Sequence, residues 1–324
     1  MKNYMFIDAD AHVEECEDTW NYLDREYQLR RPTAVTLDGV PSRGNLNSFW
    51  LIDGKVVPQP VGRGASVMAT PTSCLLGQKK SFSLESQELR DVNARLRDMD
   101  ALGVDIQVVF PTVFLVSPSD DPEFEAALYR SYNTWMAEVC RQAPDRLKWN
   151  AVMPVRAVHQ AVSEVARAKE LGAVGAAVYG TAGERLLNDP SLDPFYAALC
   201  EACLPLCIHV GWSLPGLNQA CEHPFAAQII SFSLPLLMGF FGIVDGVLDR
   251  FPDLRVGFFE GAPSGFPIWS TGWTTTTRST SATAGACSPR GCRASISRGG
   301  ISTSRVRPMT VSCLTCWRCG ARTG

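Results

Sequence analysis

Through its first 270 residues this 324-residue chain alternates short β-rich runs with amphipathic helical patterns, which restricts it to a parallel sheet joined by crossover helices. The β-rich runs lie at residues 4–8, 104–110, 147–153, 173–179, 206–210 and 254–259. Between them, 86–102 carries Leu89, Val92, Leu96 and Met99 on one helical face, and 121–141 and 157–171 repeat that spacing. Gly103 and Gly172 follow two of these patterns as helix stops. Six βα-like units in about 270 residues predict an eight-fold α/β barrel short of its last two units. An open doubly wound sheet is the runner-up, but no Gly-rich phosphate loop follows the first strand. Residues 36–75, rich in Gly, Pro and Ser, fit no such unit and read as an insertion or lid.

Residues 271–324 are of another character. They contain no Asp, Glu or Lys, yet eight Arg and nineteen Ser or Thr, so all 33 acidic residues lie upstream. A disordered tail would suit the Ser and Thr, but not the Trp, Cys and Ile found there. Reading the last base of each codon with the first two of the next gives Asp from Trp273-Thr274, because TGG followed by AC contains GAC. Met309-Thr310 also gives Asp, and Cys316-Trp317 gives Leu. With GC-rich codons, 271–277 recodes as R-L-D-D-D-Y and 308–324 as D-D-G-E-L-L-D-V-L-E-V-(R/W)-G-E-D-R, both helix-like. The sequence therefore divides into a barrel at 1–270 and a frameshifted, disordered tail at 271–324. Cys313, Cys316 and Cys319 have zinc-knuckle spacing, but slippage of GC-rich codons explains them better.

A net charge of −3 gives no electrostatic case for nucleic acid or an anionic membrane. No apolar run is long enough to span a bilayer, and no signal-peptide core follows Met1, so a cytoplasmic protein is the expectation. The chain has four His, and each can be weighed. Asp10 and His12 sit two apart just past the first β-rich run, where alternate side chains share a side. His209 ends the fifth, and in a barrel all strand C-termini surround one pocket. One carboxylate and two imidazoles form a plausible shell for a divalent ion, against a bland reading of a capping Asp10 and structural histidines. Glu260 ends the sixth run and could act as a general acid or base, or only position a ligand. His223 follows the fifth run on a loop, as a catalytic or substrate contact or a solvent-exposed side chain. Trp212, just after His209, walls the pocket as a substrate contact or packs in the core. His159 is a surface residue near a helix start. Cys200, Cys203 and Cys207 pass from a helix into a buried strand as small apolar fillers.

The ordered motifs Asp8-x-Asp10-x-His12, Ile208-His209-Val210-Gly211, residues 246–256 (G-V-L-D-R-F-P-D-L-R-V) and Phe259-Glu260-Gly261 resemble the amidohydrolase-related family. That family includes aminocarboxymuconate-semialdehyde and resorcylate-type decarboxylases. The resemblance spans about residues 4–270. It implies a distorted TIM (β/α)8 barrel, incomplete at its C-terminal end with strands 7 and 8 missing. It also implies one divalent metal, Zn²⁺ first and Mn²⁺ second, held by Asp10, His12 and His209. Where Glu260 stands the semialdehyde decarboxylases carry a His that handles a proton or orients the metal-bound water, so the resemblance marks Glu260 as a catalytic group; His223 joins it as a catalytic candidate from its loop position alone. The family's further ligand, an Asp in a segment like S-D-Y-P-H, has no counterpart here.

The expected function is decarboxylation of a small aromatic or unsaturated carboxylic acid, with Glu260 handling the proton at the carbon that loses CO₂. The alternative is hydrolysis of an amide or lactone by metal-activated water. An alternative of another class is a truncated, inactive relic. The expected partner is a small organic acid, with neither nucleic acid nor membrane. Homodimers are common in the family, so the resemblance also allows a homodimer.

Overall fold

The computed structural model of the protein describes residues 4–36, 48–57, 59, 82–220, 234–260 and 310–311. Its main sheet is built from β1 (Ile7–His12), β5 (Ile106–Phe110), β6 (Leu147–Val152), β7 (Gly175–Val178), β10 (Leu206–His209) and β11 (Val256–Phe259), hydrogen-bonded in that order and all parallel. Helices α2 (Val92–Leu102), α3 (Pro122–Cys140), α4 (Val158–Glu170) and α5 (Asp193–Glu201) cross between successive strands; a short antiparallel pair, β8 (Thr181–Ala182) and β9 (Arg185–Leu186), follows β7, and a helical segment over 234–250, broken at Asp245 and Gly246, precedes β11. This is the incomplete α/β barrel that the alternation predicts.

Each helix starts where local chemistry favours it. Asp121 accepts hydrogen bonds from the Glu123 and Phe124 amides, Pro122 opens α3, and Glu123 and Glu125 lie in its first turn. The α3 face then buries Phe124, Leu128, Tyr132 and Met136, at helical spacing, against β6 and the core. The helix expected at 86–102 divides in two. Ser83 caps α1 (Leu84–Gln87), Leu89 adopts a left-handed φ of 53°, and Asp91 caps α2. Gly103 ends α2 at φ 71°, as its position predicts.

Two further expectations change. Asp10 and His12 lie within β1, which runs to His12, because pairing with β5 continues to Phe110. The 36–75 stretch is also more than an insertion of loop. Its residues 48–57 form β3 (Ser48–Ile52) and β4 (Lys55–Val57), which complete an antiparallel sheet with β2 (Thr33–Thr36). The two-residue turn Asp53-Gly54 takes φ of 52° and 77°, the primed hairpin geometry. Trp50 is buried edge-on against Trp20, with ring centroids 5.4 Å apart, so this sheet packs on the core. Arg30 and Ser119 bond to Asp53, and Lys55 to Asp120, tying the hairpin to the loop after β5.

At the far edge Thr310 and Val311 form a two-residue strand, β12, paired with Gly257 and Phe258. The tail was expected to contribute no strand. Its pairing satisfies part of the edge that β11 otherwise presents. The tail cysteines lie outside the described residues. Among the described residues no helix is long and apolar enough to cross a membrane.

Candidate metal centre

Four inter-strand steps separate β1 from β10 in the sheet order, which in a flat sheet would be roughly 19 Å. Instead the His209 Nε2 lies 3.2 Å from the Asp10 Oδ1. The sheet is therefore curled, and the C-terminal ends of its strands face one another across a single mouth. His12 pairs with Phe110 on β5, and His209 with Phe259 on β11, so within each neighbouring pair the two strands end level.

Asp10, His12 and His209 offer one carboxylate oxygen and two ring nitrogens within 4.8 Å of one another. The His12 Nδ1 lies 2.9 Å from the Pro111 carbonyl oxygen, and the His209 Nδ1 lies 2.9 Å from that of Val210. A backbone carbonyl only accepts, so both rings donate through Nδ1 and turn Nε2 towards Asp10. Among the described residues the buried His12 Nε2 has no hydrogen-bond partner, and it lies 3.9 Å from the Asp10 Oδ1. A buried nitrogen lone pair left in this way, beside a carboxylate and a second imidazole, fits a divalent cation of the Zn²⁺ or Mn²⁺ type.

Burial and the neighbouring His209 push the His12 imidazole down to about 4, so it is neutral at neutral pH, as a ligand must be. Burial also opposes charge on His209, but the hydrogen bond and charge of Asp10 outweigh it and raise that ring. For Asp10, burial pushes upward, and the hydrogen bond and charge of His209 hold the carboxyl below the usual range. A bound cation would replace the His209 Nε2 proton. His209 is fixed by packing: it stacks on Phe259 at 8° and meets Phe110 at 4.8 Å between centroids.

Glu260 follows β11 directly. Its amide donates to the Asp10 Oδ2 at 3.2 Å, with a left-handed φ of 55°. Its carboxyl is raised by burial, against the lowering charge of His209. Trp212 is 2% exposed, packed with Leu115 and Tyr179, and its amide donates to the Leu115 carbonyl at 2.7 Å. His223 lies outside the described residues. His159 is exposed near the start of α4, and Cys207 is buried in β10. Cys203 departs from the apolar-filler reading, being exposed at a left-handed φ of 51° in the turn before β10.

Sequence reading missed the groups behind the site. Arg95 donates to the His12 carbonyl at 2.8 Å and to the Gln107 side chain at 2.8 Å. Gln107 in turn donates to Asp8, whose other oxygen accepts the Asp10 amide. The signal was present, since Arg95 interrupts the apolar stripe of Val92, Leu96 and Met99 on α2. Glu15 is 2% exposed, and its two oxygens accept the amides of Thr112 (3.0 Å) and Val113 (2.8 Å). Burial pushes its carboxyl up to about 7 against the pull of those amides.

The family model described as amidohydrolase matches residues 7–273. The chain is similar to the solved structure of an amidohydrolase from Mycobacterium avium subsp. paratuberculosis K-10, at 21% identity and a TM-score of 0.66, over 86% of this chain and 79% of that one. It is similar to 5-carboxyvanillate decarboxylase from Novosphingobium aromaticivorans DSM 12444, complexed with manganese and 4-hydroxy-3-methoxy-5-nitrobenzoic acid. There the identity is 20% and the TM-score 0.60, over 86% of this chain and 72% of that one. A third likeness is to 5-carboxyvanillate decarboxylase from Sphingomonas paucimobilis, at 21% identity and a TM-score of 0.51, over 63% of this chain and 65% of that one. At these identities the solved structures establish the fold.

Proposed function

This chain belongs to the amidohydrolase family, and from that premise we propose that it is a metal-dependent carboxy-lyase acting on a small aromatic or unsaturated carboxylic acid. The observation that carries the reading is the convergence of Asp10, His12 and His209, with the His12 Nε2 buried and unpartnered among the described residues. These three residues would hold one divalent ion, Zn²⁺ or Mn²⁺, which when bound supplies positive charge for the substrate's carboxylate and neighbouring oxygen. The chain's own groups do the rest. His12 and His209 are locked by their Nδ1 bonds, so substrate oxygens meet a fixed frame. Glu260 sits beside Asp10 and His209, where its carboxyl can deliver or remove the proton at the carbon that loses CO₂. Trp212 and His223 complete the proposed pocket, Trp212 as a wall and His223 as an acid–base or substrate contact on the loop after β10.

The manganese-containing 5-carboxyvanillate decarboxylase supplies the first substrates to try. The purified chain, loaded with Mn²⁺ or Zn²⁺, is offered hydroxybenzoates and 5-carboxyvanillate while CO₂ release is followed. Metal-dependent CO₂ release that is lost in Glu260→Gln supports the reading. Hydrolysis of amides or lactones without CO₂ release makes it a hydrolase on the same site. A metal-loaded protein inert to both classes refutes the assignment and leaves the inactive relic.

We also propose that residues 271–324 are translated out of frame. The family match supports this by ending at residue 273, beside the compositional break at 271. Sequencing the gene from the codon for Gly261 decides it: an added or missing base is expected, and an intact frame removes the proposal.

A further inference from the structure

We propose that Glu15 is a positioning residue that fixes the metal-binding tautomer of His12 through a single peptide group, an inference that rests on the metal-site reading above. The peptide bond between Pro111 and Thr112 carries the carbonyl of the first residue and the amide of the second. Its carbonyl oxygen accepts from the His12 Nδ1 at 2.9 Å, and its N–H donates to the Glu15 carboxyl at 3.0 Å. Carboxyl, peptide and imidazole therefore form one hydrogen-bonded chain.

The arrangement is closed on both sides. The second Glu15 oxygen takes the next amide, Val113, at 2.8 Å, so the carboxyl grips consecutive N–H groups and cannot rotate away. One step before, the Val13 amide donates to the Phe110 carbonyl at 3.1 Å, which continues the pairing of β1 with β5. Residues 12–15 thus hold the 110–113 turn at four points, and Pro111, with no N–H, contributes only its carbonyl. Glu15 is buried, so its field is poorly screened, and hydrogen bonds in series polarise one another. A peptide whose N–H is held by an anionic group becomes a stronger acceptor at its carbonyl. That favours the proton on the His12 Nδ1 and leaves the Nε2 lone pair facing Asp10. Metal-binding histidines are commonly oriented by a carboxylate or a backbone carbonyl, and here the two act in sequence.

The test uses the chain's small histidine complement. With four His, ¹⁵N-imidazole spectra of the metal-free protein are readily assigned, and they report the tautomer directly. At pH 8.5 the native protein should show His12 as the Nδ1–H form and a strongly downfield Thr112 amide proton. In Glu15→Gln one oxygen is replaced by an NH₂ that faces an amide donor, so one of the two grips is lost. The expected result is a mixed His12 tautomer and Mn²⁺ affinity lower by about 10- to 100-fold, read by calorimetric titration. Glu164→Gln is the control. It removes another buried carboxyl, bonded to Asn133 and Arg167, and should lower stability without moving the His12 resonances. An unchanged tautomer in Glu15→Gln overturns the proposal. So does an Nε2–H His12 in the native protein, a measurement that stands even if the variant fails to fold. If the native protein binds no metal, the metal reading fails while the tautomer still judges Glu15.

Discussion

Replacing Arg156 with Met removes the cation that neutralises one of the most deeply buried carboxylates in the protein. Glu125 has a side chain only 3% exposed, and its Oε2 lies 2.8 Å from the Arg156 Nη1. The same guanidinium donates to the carbonyls of Ser119 and Asp120, both at 2.8 Å, so it joins the end of β6 to α3 and to the loop after β5. Methionine fills similar volume but leaves Glu125, among the described residues, with only the Ser117 hydroxyl. Removing one partner of a buried pair costs about 3–5 kcal/mol, because the stranded charge keeps its desolvation penalty. The penalty should depend on pH with a definite sign. Burial already holds the Glu125 carboxyl above its ordinary value of 4.5, against the pull of Arg156, and without that pull it rises further. The folded variant then binds a proton that the unfolded chain releases. The loss of stability should be small below pH 4.5 and grow as pH rises towards the folded-state value. Urea unfolding of native, Arg156→Met and Glu125→Gln/Arg156→Met proteins at pH 5 and pH 8 measures it, and the double variant should recover much of the loss. A single variant within 1 kcal/mol of native at pH 8, or a penalty that grows on acidification, would show the reasoning wrong.

Asp10→Asn keeps the shape of the side chain but removes the anionic ligand, so Mn²⁺ or Zn²⁺ affinity should fall by at least about 100-fold in a competition titration. Equal affinity would exclude Asp10 as a ligand. Trp50→Ala should cost about 3–5 kcal/mol in thermal or urea unfolding, since Trp50 is buried against Trp20. A negligible cost would mean that the hairpin at 48–57 is a loose cover. Gly180→Ala should destabilise by about 1–3 kcal/mol, because a Cβ there meets the backbone carbonyl of Pro235, which cannot rotate aside. Native-like stability in that variant would contradict the close approach of Pro235, at the start of the helical segment before β11, to the loop after β7.

What the sequence could specify, it specified through local rules. The β-rich runs located the six strands of the parallel sheet from β1 to β11, because a strand buried beneath crossover helices must be apolar whatever its neighbours are. Helical spacing placed the start of α3 at Asp121, and Gly103 marked the end of α2, since periodicity and left-handed backbone depend on a few adjacent residues. Asp10 and His12 could be paired from spacing alone because both lie on one strand. The Asp53-Gly54 hairpin was legible by the same kind of rule and was obscured by the Gly and Pro around it. The break at Leu89 was not legible, as nothing in a leucine announces a left-handed backbone. The tertiary structure decided everything that depends on closure. Curling the sheet brought His209 to Asp10 across 199 residues, and packing β1 on β5 placed Glu15 against an amide 97 residues away. Such contacts arise from the geometry of the whole sheet and from burial that forces every polar group to find a partner, neither of which is written in any short stretch of sequence.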